Sequence, residues 1–171
     1  RDPFSGCTVR EIVDMMASEI DDHSLIEMLE ARRPLLIGLP ITLFTANRCR
    51  QLAMAIRKVL PNCKIVVGGP YATMHPKRVL EECVDFDFLL RGEAEESLVK
   101  LVFALQNKSR VDGIEGACIR DARSIKVSDS IPRIEDLDRL PLPAHELLPM
   151  ESYFDSGAGT RAVAGIITSR G

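Results

Sequence analysis

Ile65-Val66-Val67-Gly68-Gly69-Pro70-Tyr71 is the stretch from which the fold can be read. Its apolar, β-branched start has no polar alternation, as expected of a strand buried on both faces. Two glycines end it. They remove every side chain at the strand's carboxyl end and let a large, flat partner approach the backbone. Pro70 blocks continuation of the strand. Leu35-Leu36-Ile37-Gly38-Leu39-Pro40 and Phe86-Asp87-Phe88-Leu89-Leu90-Arg91-Gly92 end in the same manner. Parallel strands with small or polar residues at their carboxyl ends form a ligand crevice, because open α/β sheets bind there.

Helices alternate with these strands. Val9, Ile12, Val13 and Met16 predict a helix over Thr8 to Ala17. Ser24 and Glu27 have capping-box spacing before a second helix, which Pro34 ends. A third is expected from Ala46 to about Leu60, a short one from Pro76 to Cys83, and one opened by Glu93, Glu95 and Glu96 that runs to Gln106. The helix–strand repeat predicts a parallel sheet with right-handed crossovers and helices on both faces. The character changes after Asn107. Gly116–Arg120 and Ser124–Val127 flank Asp121-Ala122-Arg123 as a β-hairpin. Pro132, Pro141, Pro143 and Pro149 make Ile131 to Met150 a surface linker. A loop at Gly157 and Gly159 then leads to an apolar strand, Ala162 to Thr168. The expected division is an α/β domain over residues 1–110, hairpin and linker over 111–160, and the first strand of a further domain over 161–171.

The totals exclude several functions. The 171 residues carry a net charge of −3, without the basic excess of a nucleic-acid footprint. No apolar run reaches the roughly 18–20 residues of a membrane span. Arg1-Asp2-Pro3 lacks the apolar core of a signal peptide and reads as the interior of a longer, cytoplasmic chain. Cys7, Cys49, Cys63, Cys83 and Cys118 have no C-x-x-C spacing and read as reduced core thiols rather than metal ligands. There is no Walker loop and no G-x-G-x-x-G, and three histidines do not make a hydrolytic triad. Glu95 and Glu96 read as a solvated first helical turn, whereas Arg91 and Glu93, at a strand end, are open to ligand contact.

Val67-Gly68-Gly69-Pro70, then Arg91-Gly92-Glu93-Ala94-Glu95, then Ile134-Glu135-Asp136-Leu137-Asp138-Arg139-Leu140-Pro141-Leu142-Pro143 resemble, in that order, the N-terminal cobalamin-binding domain of B12-dependent radical SAM enzymes. Ile167-Thr168-Ser169-Arg170-Gly171 is similar to the strand that in this family precedes the cysteines of a [4Fe–4S] cluster, where S-adenosylmethionine binds. The resemblance implies a flavodoxin-like domain with the cobalamin nucleotide tail between the strand ends. It places Gly38, Pro40, Ile41, Thr42, Thr45, Gly68, Gly69, Pro70, Tyr71, Arg91, Gly92 and Glu93 against that tail. The cluster and S-adenosylmethionine would belong to the downstream radical SAM domain of the parent, a methyltransferase or an oxidative cyclase of tetrapyrroles. No catalytic residue and no metal ligand are expected within the chain.

Departures from the family pattern are informative. Pro40 stands where a serine is common, Tyr71 where histidine is common, and Ala94 replaces a glycine. Pro40 and Tyr71 favour the alternative reading, a non-enzymatic docking or regulatory domain that no longer binds cobalamin. Asp21-Asp22-His23-Ser24-Leu25-Ile26 fails the cobalt-ligand pattern D-x-H-x-x-G, so His23 reads as a helix-entry residue. His75, after the glycine pair, is a lesser candidate for reaching the ligand, and His145 lies in the linker. The family's first strand and helix are absent, which leaves an open position beside Leu35–Leu39. Ala162–Thr168 could fill it, within the chain or as a strand-exchanged homodimer; a disordered tail is the competing expectation.

Overall fold

The computed structural model describes residues 11–121, 124–155 and 160–161. These fall into two compact units, one of residues 26–133 and one of residues 11–25 with the described residues after 133. The elements of the larger unit follow α1 (Asp22–Arg32) as β1 (Leu36–Pro40), α2 (Ala46–Val59), β2 (Lys64–Gly68), α3 (Pro70–Met74), α4 (Pro76–Glu82), β3 (Phe88–Leu90), α5 (Glu95–Gln106), β4 (Ala117–Asp121) and β5 (Ser124–Lys126).

The sheet order is β1-β2-β3-β4-β5. The first three strands are parallel, with Gly38 opposite Val66 and Val66 opposite Phe88. The hairpin adds to the same sheet: β4 is antiparallel to β3, with Cys118 opposite Leu89, and β5 is antiparallel to β4. One strand thus runs against the other four, and the sheet is mixed rather than parallel throughout. Among the described residues β1 is the edge strand on the other side. The apolar strand expected over Ala162–Thr168 lies outside the described residues.

Alternation along β2 and β3 divides the core. Val66, Phe88 and Leu90 form one cluster with Leu101 of α5 and Ala117 of β4, flanked by Leu98 and Leu105. The opposite row of Ile65, Val67, Leu89 and Cys118 is fully buried. α2, α3 and α4 supply Leu52, Ala53, Ile56, Ala72, Val79 and Leu80 to the remaining core. Burying each of the larger of these, Val, Leu, Ile and Phe, contributes about 1.5–3 kcal/mol, the dominant favourable term in folding.

Local expectations changed where polar side chains took over the backbone. The helix expected over Thr8–Ala17 is, in its described part, a single turn. The Asp14 carboxylate accepts the amides of Met16 at 3.1 Å and Ala17 at 3.0 Å, and Glu19 then turns to φ 52°. Those bonds, with one donated by the Tyr153 hydroxyl at 2.7 Å, hold the Asp14 carboxyl below its ordinary pKa. α1 is capped by Asp21, whose side chain accepts the Ser24 amide at 2.8 Å, and not by Ser24. β3 is shorter than the expected Phe86–Arg91 because Asp87 directs its carboxylate to β2, accepting the Ile65 amide at 2.9 Å. In the smaller unit, the linker after Ile134 forms three short 3-10 turns, Leu137–Arg139, His145–Leu147 and Met150–Ser152. A two-residue ladder follows, β6 (Phe154–Asp155) with β7 (Thr160–Arg161).

Candidate functional site

The carboxyl ends of β1, β2 and β3 lie side by side, so the three expected segments of the site converge. The first two are joined by backbone, the Ile41 amide donating to the Gly68 carbonyl at 2.7 Å. Gly69 has φ 106°, a conformation that L side chains rarely adopt. A Cβ there would lie 2.8 Å from the Ile41 carbonyl oxygen. The glycine therefore lets the loop after β1 close onto the end of β2. A Cβ on Gly68 would meet only the Leu90 carbonyl oxygen, at 3.4 Å, and one on Gly38 only Val66, at 3.9 Å.

Pro70 does more than stop a strand. It is the first residue of α3, a helix not expected from the sequence, where its missing N–H costs nothing. This short helix carries Tyr71 onto the strand end, half-buried, with its ring centroid 5.2 Å from that of exposed His75.

The loop after β1 is organised by two threonines. Thr45 Oγ1 accepts the Thr42 amide at 2.9 Å, Thr42 Oγ1 accepts the Thr45 amide at 3.2 Å, and the hydroxyls are 3.0 Å apart. This is a reciprocal hydroxyl box in the turn before α2, legible as T-x-x-T; the N-cap of α2, Thr45, makes no side-chain capping bond to the helix. The Pro40 carbonyl, at the end of β1, accepts from Thr45 Oγ1 at 3.4 Å and from Cys49 Sγ at 3.4 Å. Both threonines are exposed, and Leu43 and Phe44 between them are 67% and 93% exposed. The box leaves an open loop held in one shape, with hydroxyls and an aromatic ring at its surface.

Arg91, Gly92 and Glu93 are engaged differently. The Arg91 guanidinium donates to the Thr73 carbonyl at 3.2 Å and to the Ser128 carbonyl. Its amide donates to the Gly116 carbonyl at 2.9 Å, and the Glu93 amide donates to the Pro132 carbonyl at 3.0 Å. Gly92, at φ 67°, leaves room for that strap, since a Cβ would lie 2.5 Å from the Pro132 oxygen. The third segment of the expected site is thus bound by the chain's own residues 128–132. Thr73 takes part in this without having been singled out. Its hydroxyl accepts the Gly92 amide at 3.0 Å. The only trace in the sequence is its position one helical turn after Gly69.

Cys49, Cys63, Cys83 and Cys118 are free and buried. Burial raises each thiol above its ordinary value, Cys63 to about 11, so they are packing residues and not nucleophiles. Cys7 lies outside the described residues. Among the described residues no group of His, Cys, Asp and Glu could hold a metal ion, and no helix is long and apolar enough to cross a membrane. His23 is exposed in the first turn of α1, and His145 is half-buried in a 3-10 turn of the smaller unit.

Comparison with known proteins agrees with this architecture. The chain is 32% identical over 162 residues to the anaerobic magnesium-protoporphyrin IX monomethyl ester cyclase of Synechocystis, covering 94% of the chain and 32% of the relative. It is 27% identical over 161 residues to an uncharacterized methyltransferase of Pyrococcus horikoshii, covering 94% and 34%. The chain therefore spans about a third of the length of these curated relatives. Among solved structures, the cobalamin-dependent S-adenosylmethionine radical enzyme OxsB, with aqua-cobalamin and S-adenosylmethionine bound, superposes with a TM-score of 0.67 at 19% identity, covering 80% of this chain and 19% of that one. The radical S-adenosylmethionine methyltransferase TsrM of Kitasatospora setae, with cobalamin and a [4Fe-4S] cluster bound, gives 0.62 at 19%, covering 72% and 24%. At that identity the likeness is one of fold. The B12 binding domain family model matches residues 4–102, more than half of the 171 residues, and the chain belongs to that family.

Proposed function

We propose that the chain is the cobalamin-binding module of a radical SAM enzyme and holds the nucleotide tail of the corrinoid in the crevice at the ends of β1 and β2. The observation that carries this is the glycine-lined junction of those two ends, closed by Ile41 on Gly68 and faced by the Thr42–Thr45 hydroxyls, in a chain of the B12 binding domain family. The residues fit such a tail: Gly38 and Gly68 present no side chain, Tyr71 offers a half-buried ring, and the exposed hydroxyls can meet ribose and phosphate oxygens. Bound corrinoid would supply a methyl carrier or position a substrate. The [4Fe–4S] cluster and S-adenosylmethionine would belong to the radical SAM domain of the parent, a methyltransferase or cyclase by analogy with its relatives. Gly38, Pro40, Ile41, Thr42, Thr45, Gly68, Gly69, Pro70 and Tyr71 form the tail-facing wall. Arg91, Gly92 and Glu93 support it from behind the strap. Cobalt takes no histidine from this chain.

A second reading, a docking or regulatory domain of the same fold without cobalamin, is favoured by Pro40, whose carbonyl is already taken by Thr45 and Cys49. Equilibrium dialysis of the 171-residue chain against hydroxocobalamin and against cobinamide, which has the corrin ring but no nucleotide, separates the two. Saturable hydroxocobalamin binding with weaker cobinamide binding is expected. Equal affinities would move the contact from the tail to the ring. Failure to bind either would leave the docking domain.

A further inference from the structure

We propose that Thr73 is a positioning residue of the crevice: it ties the turn at Gly69-Pro70-Tyr71 to the strap of residues 128–132, so that tail binding and strap seating stabilise each other. The ligand half of this rests on the cobalamin reading above. Thr73 uses all its backbone polar groups and its hydroxyl on the two sides. Its amide donates to the Gly69 carbonyl at 2.9 Å, which closes the turn. Its hydroxyl accepts the Gly92 amide at 3.0 Å, and its carbonyl accepts Arg91 Nε at 3.2 Å. The same two partners hold the strap. Arg91 reaches the Ser128 carbonyl, Gly92 has the turned backbone that admits Pro132, and the adjoining Glu93 amide donates to the Pro132 carbonyl at 3.0 Å. From the Gly69 carbonyl to the strap there are two intervening residues, Thr73 through its backbone and Arg91 through its guanidinium.

The strap is suited to respond. It buries little apolar surface, and Ile131 is 52% exposed. Polar contacts hold it instead: the Ser130 hydroxyl on Glu115 Oε1 at 2.6 Å, the Ser130 amide on Ser128 Oγ at 3.2 Å, and the Ser128 amide on Cys118 Sγ at 3.4 Å. Of these only the Ser130–Glu115 bond is exposed and the others are half-buried. Segments held by few apolar contacts open at lower free-energy cost than core strands, which open only with the whole domain. The strap packs closely on two turned glycines: a Cβ on Gly92, at φ 67°, would lie 2.5 Å from the Pro132 carbonyl oxygen, and one on Gly116, at φ 74°, 2.6 Å from the Pro132 ring. A ligand that binds the ordered turn better than the loosened one would favour the seated strap by the same differential affinity.

The test compares Thr73→Val, which keeps the shape and removes the hydroxyl, with Thr73→Ser, which keeps the hydroxyl. Hydrogen exchange of the 171-residue chain is read at the amides of Gly92, Glu93 and Ser130. Thr73→Val is expected to speed these about five- to tenfold, the effect of one lost hydrogen bond, with Val66 and Val67 unchanged and Thr73→Ser like the parent. Equal exchange in Thr73→Val, or equal acceleration at Val66 and Val67, overturns the tie. Adding hydroxocobalamin to the unaltered chain is expected to slow exchange at Glu93 and Ser130. Binding without that slowing overturns the linkage and leaves the cobalamin reading intact. No binding overturns the cobalamin reading and the ligand half with it, while the ligand-free comparison still decides the tie.

Discussion

At the amino end of the sheet, polar groups are charged side chains satisfied by one another. Asp87 accepts Arg57 at 2.7 Å and Lys64 at 3.0 Å as well as the Ile65 amide, and Arg57 also donates to the carbonyls of Cys63 at 2.7 Å and Asp85 at 2.8 Å. At the carboxyl end there are hydroxyls, peptide groups and glycines, with 93% exposed Phe44 at the rim. The amino end spends its charge on closing α2 onto β2 and β3. The carboxyl end keeps its charges few and its hydroxyls exposed, as the proposed tail site requires. The difference teaches which end is structural, and a pair of readouts, melting and hydroxocobalamin dialysis, can break it.

The largest effect is expected at the amino end. Asp87→Ala removes one carboxylate from Arg57, Lys64 and the Ile65 amide at once, leaving Arg57 only its carbonyl partners and Asp85. Removing one member of a part-buried ionic cluster that also satisfies backbone should cost about 2–4 kcal/mol. Thermal unfolding should show it, with hydroxocobalamin affinity unchanged at a temperature where the variant stays folded. A variant that melts like the parent but binds tenfold more weakly would invert the assignment of the two ends.

The next effect lies within the crevice. Gly69→Ala forces a side chain into φ 106° and to 2.8 Å from Ile41, whereas Gly68→Ala meets Leu90 at an ordinary 3.4 Å. The first should cost about 1–3 kcal/mol and the second well under 1. A side chain at 69 would therefore meet the chain's own loop before any ligand. Equal melting of the two variants would show that the loop after β1 yields easily.

Much of this was legible in the sequence. Ile65-Val66-Val67 marked the central strand, and paired glycines marked its open end, because those signals are local. What was not legible depends on partners distant in sequence. Thr73 meets Gly92 and Arg91 meets Ser128 only once β3 is beside β2 and the strap has returned. The two carbonyls that the Arg91 guanidinium meets were likewise invisible in the sequence. α3 was hidden because proline after glycine signals a strand stop and a helix start equally well. The Met15–Glu19 turn was hidden because helical apolar spacing does not reveal that Asp14 will take the next amides.

A smaller effect than that of Gly69→Ala should come from the Thr42–Thr45 box, and it sharpens the comparison most. Each hydroxyl accepts the other residue's amide. Either change to valine removes one bond of the turn and leaves the opposite threonine with a displaced partner, so each should cost about 1 kcal/mol of stability, the worth of one hydrogen bond. The double variant should cost less than the sum, because the second change removes an interaction already broken. If the box serves only α2, hydroxocobalamin affinity will follow stability and vanish as a separate effect when all proteins are compared fully folded. If the hydroxyls also meet the nucleotide tail, each valine should lower affinity several-fold with the chain fully folded, and cobinamide binding should be indifferent to both. Cobinamide affinity falling in parallel would show that the loop's shape, and not its hydroxyls, is what the ligand reads.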